Sequence, residues 1–197
     1  MVHPMQIPTD CAVFLDAGYI EYVIRQDFPG IQIDYVKLVS EISKEHILFR
    51  SFYYNCLPYL DVHSSDSEKS LYEGKINFFE ALKFLPRFEV RLGELSRFED
   101  HDTGAFSFHQ KRVDSLITVD MLEVALRHQV KTIILATGDS DLIPAVKAIK
   151  RAGLICILWH GSLKGKAPPS RELFQICDER FEFESIIDKI QKQNYRS

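Results

Sequence analysis

Short apolar runs punctuate the chain. They are Cys11–Leu15, Ile47–Tyr54, Phe88–Leu92, Thr132–Ala136 and Leu154–Trp159, rich in Val, Ile, Leu and Phe. Successive strand residues point to opposite faces. A run that is apolar at every position therefore describes a strand covered on both sides, as a parallel sheet requires. Between the runs, Tyr35–Ile42, Ser70–Leu85, Val113–His128 and Leu142–Arg151 space their apolar residues at helical intervals. The alternation predicts an α/β fold: a doubly wound, mainly parallel sheet sandwiched by helices in three layers.

The boundaries carry their own chemistry. Gly153 follows a helix whose last turn holds Lys150 and Arg151, a glycine stop with cations complementing the helix dipole. Asp34 stands where an N-cap belongs for the helix opening at Tyr35. His160–Ser170 (HGSLKGKAPPS) and Phe98–Thr103 (FEDHDT) read as loops, the second as the tip of an excursion between two strands. Phe181–Phe183 reads as a last short edge strand, and Ser185–Lys192 as a terminal helix. With no internal repeat, residues 11–197 are expected to form one domain behind an N-terminal extension, residues 1–10.

Composition narrows the function. A formal net charge of −4 excludes a global basic field, so any nucleic-acid contact must come from a local patch. Cys11, Cys56, Cys156 and Cys177 are widely spaced without a CxxC pair, and are read as reduced core residues rather than disulfides or zinc ligands. Met1–Asp10 lacks a signal-peptide pattern, and no apolar run approaches the about 20 residues of a membrane span. A cytoplasmic protein with no membrane partner is expected.

In a doubly wound sheet, ligands gather outside the carboxyl ends of the strands. Asp16 follows the first apolar run, in FLDAGYI; Asp139 and Asp141 follow the fourth, in ILATGDSDLI. Carboxylates at such ends suit a hard cation, Mg²⁺ or Mn²⁺. Gathered carboxylates repel, and a bound cation offsets the repulsion. Asp114 opens an amphipathic segment, and Asp120 lies inside it between Val119 and Met121, where a carboxylate needs a partner or a metal. Helix capping is the plain alternative for Asp114 and Asp141, a solvated face the alternative for Asp120. Glu123 is read as a flanking residue. Lys111 and Arg112 stand ready for a substrate phosphate, or balance the local negative charge. Lys164, Lys166 and Arg171 could close over a polyanion, or form an ordinary solvated loop.

FLDAGYI, KRVDSLITVDMLEVAL and IILATGDSDLIPAVKAIKRAG, in that order, resemble the NYN domain, a branch of the PIN-like nucleases. SRELFQICDERFEF resembles the family's last helix and short strand. The resemblance covers about Cys11 to Phe183, with Asp34–Leu92 matching in layout only. It implies a metal-dependent ribonuclease acting on RNA, single-stranded by expectation, with Mg²⁺ or Mn²⁺, and a homodimer as the common assembly. The implied metal-binding aspartates are Asp16, Asp114, Asp139 and Asp141, with Asp120 on a further acidic position. Tyr19, Lys111, Arg112, Ser140, Lys164 and Lys166 are the expected substrate-binding residues. Many members carry asparagine where this chain has Tyr19 and glycine where it has Arg112; Tyr19 could instead stack on a base. The expected division of labour puts a metal on Asp16, Asp114 and Asp139, with Asp120 and Asp141 supporting a second ion or orienting water.

Two rivals follow. A phosphatase of the haloacid dehalogenase type also follows its first strand with an aspartate, but needs another two residues on, where this chain has Gly18. A non-catalytic RNA-binding or protein-interaction module would keep the fold and cleave nothing. A dinucleotide-binding dehydrogenase is excluded, because no GxGxxG follows any strand.

Overall fold

The computed structural model describes residues 10–60, 64–99 and 106–192, with the side chains of 96–99 and 106–111 left aside. The expected extension, residues 1–10, lies outside the described residues up to residue 9; Asp10 already belongs to the first strand. Among the described residues, seven strands form one sheet: β1 (Asp10–Asp16), β2 (Ile47–Cys56), β3 (Phe88–Glu99), β4 (Phe106–Lys111), β5 (Thr132–Ala136), β6 (Ile155–His160) and β7 (Glu179–Glu182). Their order is β4-β3-β2-β1-β5-β6-β7. Only the β3–β4 pair is antiparallel; the other five pairings are parallel. The doubly wound, mainly parallel sheet is thus as the pattern predicts.

The helices are α1 (Ala17–Asp27), α2 (Tyr35–Ile42), α3 (Asp66–Lys83), α4 (Val113–Leu126), α5 (Ile143–Arg151), α6 (Arg171–Ile176) and α7 (Ile187–Ile190). The two parities of each central strand feed two separate cores. Val13, Leu15, Tyr53, Ile134 and Trp159 pack with α1, α2, α3 and α7. Ala12, Phe14, Phe52, Tyr54, Ile133 and Leu135 pack with α4, α5 and α6. Burial on both faces is why these strands read as unbroken apolar runs.

Several boundaries form as expected. Asp34 caps α2, accepting from the backbone N–H of Val36 and Lys37. Gly153 takes φ +86, while Gly153 N donates to Lys150 O and Leu154 N to Ile149 O, the paired bonds of a Schellman stop. All four cysteines are buried and none forms a disulfide.

Four features depart from the pattern. The periodicity marks no helix after Asp16, yet the chain enters α1 directly at Ala17. Its β-branched Ile20, Val23 and Ile24 have weak helix propensity, and the helix forms by burying them against the sheet. Phe98 and Glu99 belong to the long strand β3, which turns back on β4, and the rest of the expected polar loop lies outside the described residues. The last edge strand ends at Glu182, and Phe183 opens a 3₁₀ turn to Ile186. The terminal helix is therefore shorter than the pattern suggests, closing at Ile190. Finally, α3 carries Gly74 at mid-helix, a choice costing roughly 1 kcal/mol relative to alanine.

Within this frame, β1 leads outward through β2 and β3, while β5, β6 and β7 build the other half. The strand order therefore switches between β1 and β5. A crevice opens at the carboxyl ends of such a pair.

Candidate metal centre

Asp16 is the last residue of β1 and the N-cap of α1. Strand parity turns its side chain to the face shared by Phe14, the α4 side of the sheet. One carboxylate oxygen, Oδ1, accepts from Tyr19 N at 3.1 Å, and the other, Oδ2, from Thr137 Oγ1 at 2.8 Å. The residue is only 8% exposed. Burial raises its carboxyl above the ordinary range, its two hydrogen bonds pull it down, and the charges of Asp114 and Asp139 push it further up.

Thr137, fully buried just past β5, is the residue the sequence reading passes over. Its hydroxyl donates to Asp16 and accepts from Asp139 N at 3.2 Å. One side chain thus ties the β1 end to the β5 end. Its signal was available: a hydroxyl residue directly before the Gly-Asp turn, where apolar burial would otherwise continue.

Asp139 caps the 3₁₀ turn Ser140–Leu142, its Oδ1 accepting from Asp141 N at 2.9 Å. The capping expected of Asp141 therefore falls to Asp139, and α5 begins after Leu142 with no side-chain cap. Asp114 is no N-cap either. That position belongs to Arg112, and Asp114 lies in the first turn of α4, where the helix dipole favours a carboxylate. With neither Asp114 nor Asp141 serving as a cap, carboxylate oxygens of Asp114, Asp139 and Asp141 lie within 4.8 Å of one another. Burial raises the Asp114 carboxyl first, then the charges of Asp139 and Asp141. Three oxygen donors from two elements, mutually repelling and partly desolvated, fit a hard divalent cation. Asp16 stands outside this trio, electrostatically coupled to two of its members.

Asp120 departs from its expected place. It is 8% exposed on the sheet side of α4, where its Oδ2 accepts from Tyr54 Oη at 2.7 Å and Arg91 Nε at 3.3 Å. Six residues of helix separate it from Asp114, so it faces β2 and β3 rather than the trio. Its neighbour Glu123 pairs with Arg127 on the helix flank.

The substrate-binding candidates divide. Tyr19 is half-buried and its hydroxyl is engaged by the loop after β6. Its hydroxyl donates to Ala167 O at 2.9 Å and accepts from Gly161 N at 3.0 Å, and its ring lies against Gly138. Burial first, then the Asp16 and Asp27 charges, push its phenol up to about 12 against the pull of the Gly161 amide. Lys166 N donates to Asp27 at 3.0 Å, and Ser170 N to Gly138 O at 2.9 Å. The loop after β6 is therefore tied to Tyr19 at Gly161, to the end of α1 at Lys166 and to the Asp139 turn at Ser170, with Lys164 and Lys166 exposed on it. Ser140 is exposed in the 3₁₀ turn between two of the acids. Arg112 instead reaches Glu94 on β3. Its φ of +73 is the left-handed conformation glycine prefers, which accounts for the glycine common at this position in the family it resembles. The side chain of Lys111, the last residue of β4, lies outside the described residues.

Gly138 allows the close approach of Tyr19: a Cβ there would stand 2.4 Å from the ring. Gly138→Ala should cost about 1–3 kcal/mol through overpacking. Urea denaturation checks this, and an unchanged midpoint would show that the ring moves aside freely.

No curated protein matches this chain. A solved structure of a protein of unknown function from Vibrio parahaemolyticus is similar in fold, with a TM-score of 0.59 at 19% identity, covering 94% of this chain and 97% of that one. The NYN domain matches residues 10–188, nearly all of the sequence and every aspartate considered above. The chain belongs to the NYN domain family, within the PIN-like superfamily.

Proposed function

We propose that the protein is a metal-dependent ribonuclease that hydrolyses phosphodiester bonds of single-stranded RNA. The observation that carries this reading is the convergence of Asp114, Asp139 and Asp141 from two elements onto one point beside the buried Asp16. These three carboxylates would hold Mg²⁺ or Mn²⁺. Such an ion supplies a nucleophilic water at neutral pH and stabilises charge on the leaving oxygen. The chain's own residues do the positioning. Thr137 fixes Asp16 against Asp139, and Asp16 adds a fourth negative charge that orients water or completes the ligand set. Lys164 and Lys166 present cations to the RNA backbone from a fixed loop, and Ser140 offers a hydroxyl to a phosphate. Relative to the expected division of labour, Asp141 joins the metal group, Asp16 moves to its edge, and Asp120 leaves the site.

The electrostatics give a test without RNA. Asp16 and Asp114 bind protons more tightly folded than unfolded. Their contribution to stability is present at low pH and is lost as pH rises through their raised folded values. A divalent ion reverses this by favouring the charged forms. Mg²⁺ or Mn²⁺ should therefore raise the melting temperature at neutral pH, with the gain lost on acidification as the raised Asp16 and Asp114 carboxyls protonate, above the ordinary carboxylate range. Asp114→Asn should raise the melting temperature of the metal-free protein by about 2 °C, after allowance for solvent screening, and abolish the metal response. Scanning calorimetry with and without chelator decides it. A metal response retained by Asp114→Asn removes that residue from the site.

A further inference from the structure

A cleft with a volume of about 790 Å³ lies away from the acidic cluster, between α1 and α3 and bordered by residues 30–35. That is the size of a site for a small organic ligand. Its charge runs against that of the molecule. Arg25, Lys75 and Lys192 line it with Glu21 as the one acid, in a chain of net charge −4. Glu21 is already engaged, accepting from Lys75 Nζ at 2.8 Å and Asn55 Nδ2 at 3.2 Å. Phe78 forms an aromatic wall, with the Lys192 ammonium 5.8 Å from its ring centroid. Leu71, more than half exposed, lies one helical turn from Gly74 and two from Phe78.

Gly74 is the independent observation. It sits mid-helix, where glycine is disfavoured, yet no backbone approaches it. A Cβ there would meet nothing within 4 Å. Neither a turn nor close packing explains it. A side chain longer than hydrogen at this position would project into the cleft.

We infer that this cleft is a nucleotide-binding site, taking a base against Phe78 and Leu71 and a phosphate among Arg25, Lys75 and Lys192. An anion with a flat apolar body matches a lining in which Arg25, Lys75 and Lys192 outnumber the one acid, Glu21, beside an aromatic wall. The choice of nucleotide rests on the proposed RNA substrate. The cleft borders α1, the helix that Asp16 caps, on the face of the sheet opposite α4.

The test uses the full chain in EDTA, so no cleavage is required. Binding of a 12-nucleotide single-stranded RNA and of UMP is measured by calorimetric titration for the wild type, Gly74→Leu and the Arg25→Ala/Lys192→Ala double variant. Gly74→Leu should fill the cleft while leaving the melting temperature at or above that of the wild type. We expect RNA affinity to fall about tenfold in both variants, equivalent to about 1.4 kcal/mol. Weakened UMP binding with unchanged RNA affinity supports a nucleotide site and identifies free nucleotide as its occupant. Unchanged affinity for both ligands in a folded Gly74→Leu overturns the inference. It would do so even where Asp139→Asn abolishes cleavage, so failure here is separable from failure of the nuclease reading.

Discussion

Replacing Asp139 by asparagine is expected to lower metal-dependent cleavage of single-stranded RNA by about 10³-fold or more, with the fold retained. The reasoning is local. Asp139 is the hub of the site: it contributes to the three-carboxylate group, accepts from Asp141 N, and donates its own amide to Thr137. Asparagine keeps the shape and one carbonyl oxygen, so the 3₁₀ turn can still be capped. What it loses is a charge among donors that must hold a dication. Removing a group that acts only with the rest of its constellation costs nearly the whole catalytic effect. The measurement is single-turnover cleavage of a labelled RNA across Mg²⁺ and Mn²⁺ concentrations. Unchanged cleavage by Asp139→Asn would sink the assignment.

The same assay separates the rivals. RNA binding by the wild type without cleavage, in either metal, favours a binding module on this fold. Turnover of a small phosphomonoester, lost in Asp16→Asn, favours the phosphatase. The structure weakens that last reading: the residue two positions after Asp16 is Gly18, inside α1, and no second carboxylate stands there.

The sheet was legible because its strands are buried on both faces. Each apolar run reports its own covering, and the residue after each run is automatically at the carboxyl end of the sheet. Asp16, Asp139 and Asp141 were found this way. Helix capping was misread for a physical reason. An aspartate before a helix has the same sequence signature whether it accepts the helix amides or points elsewhere. Asp139 caps a 3₁₀ turn, and Arg112 in a left-handed conformation starts α4; neither choice is written in periodicity. Tyr19 and Thr137 were hidden for another reason. Their partners lie more than 100 residues away in the chain, at Gly161, Ala167 and Asp16. Long-range hydrogen bonds leave no local pattern. The α1–α3 cleft is likewise a product of packing, and only Gly74 marks it in the sequence.

Asp120 shows most clearly how one sequence signal divides into two structures. A carboxylate between apolar helix neighbours had to be paired or metal-bound. It proves to be paired, with Tyr54 and Arg91. The Tyr54 hydroxyl is fully buried, and burial together with the Asp120 carboxylate pushes its ionisation far above the ordinary range. It therefore stays a donor, and Asp120 is its acceptor. Asp120→Ala should destabilise the protein by about 2–3 kcal/mol. Most of that is the cost of an orphaned buried hydroxyl; the partly exposed Arg91 contributes less. In a chain of this length the melting temperature should fall by roughly 5–10 °C. Cleavage measured well below that temperature should stay within about threefold of wild type, because the trio lies at the N-terminal end of α4, six positions from Asp120, and is untouched. Adding Tyr54→Phe should recover part of the loss, since the orphaned group is then gone, and the double-mutant cycle isolates that bond. Were Asp120→Ala instead to abolish cleavage at unchanged stability, Asp120 would belong with the metal ligands, and its pairing with Tyr54 would be incidental.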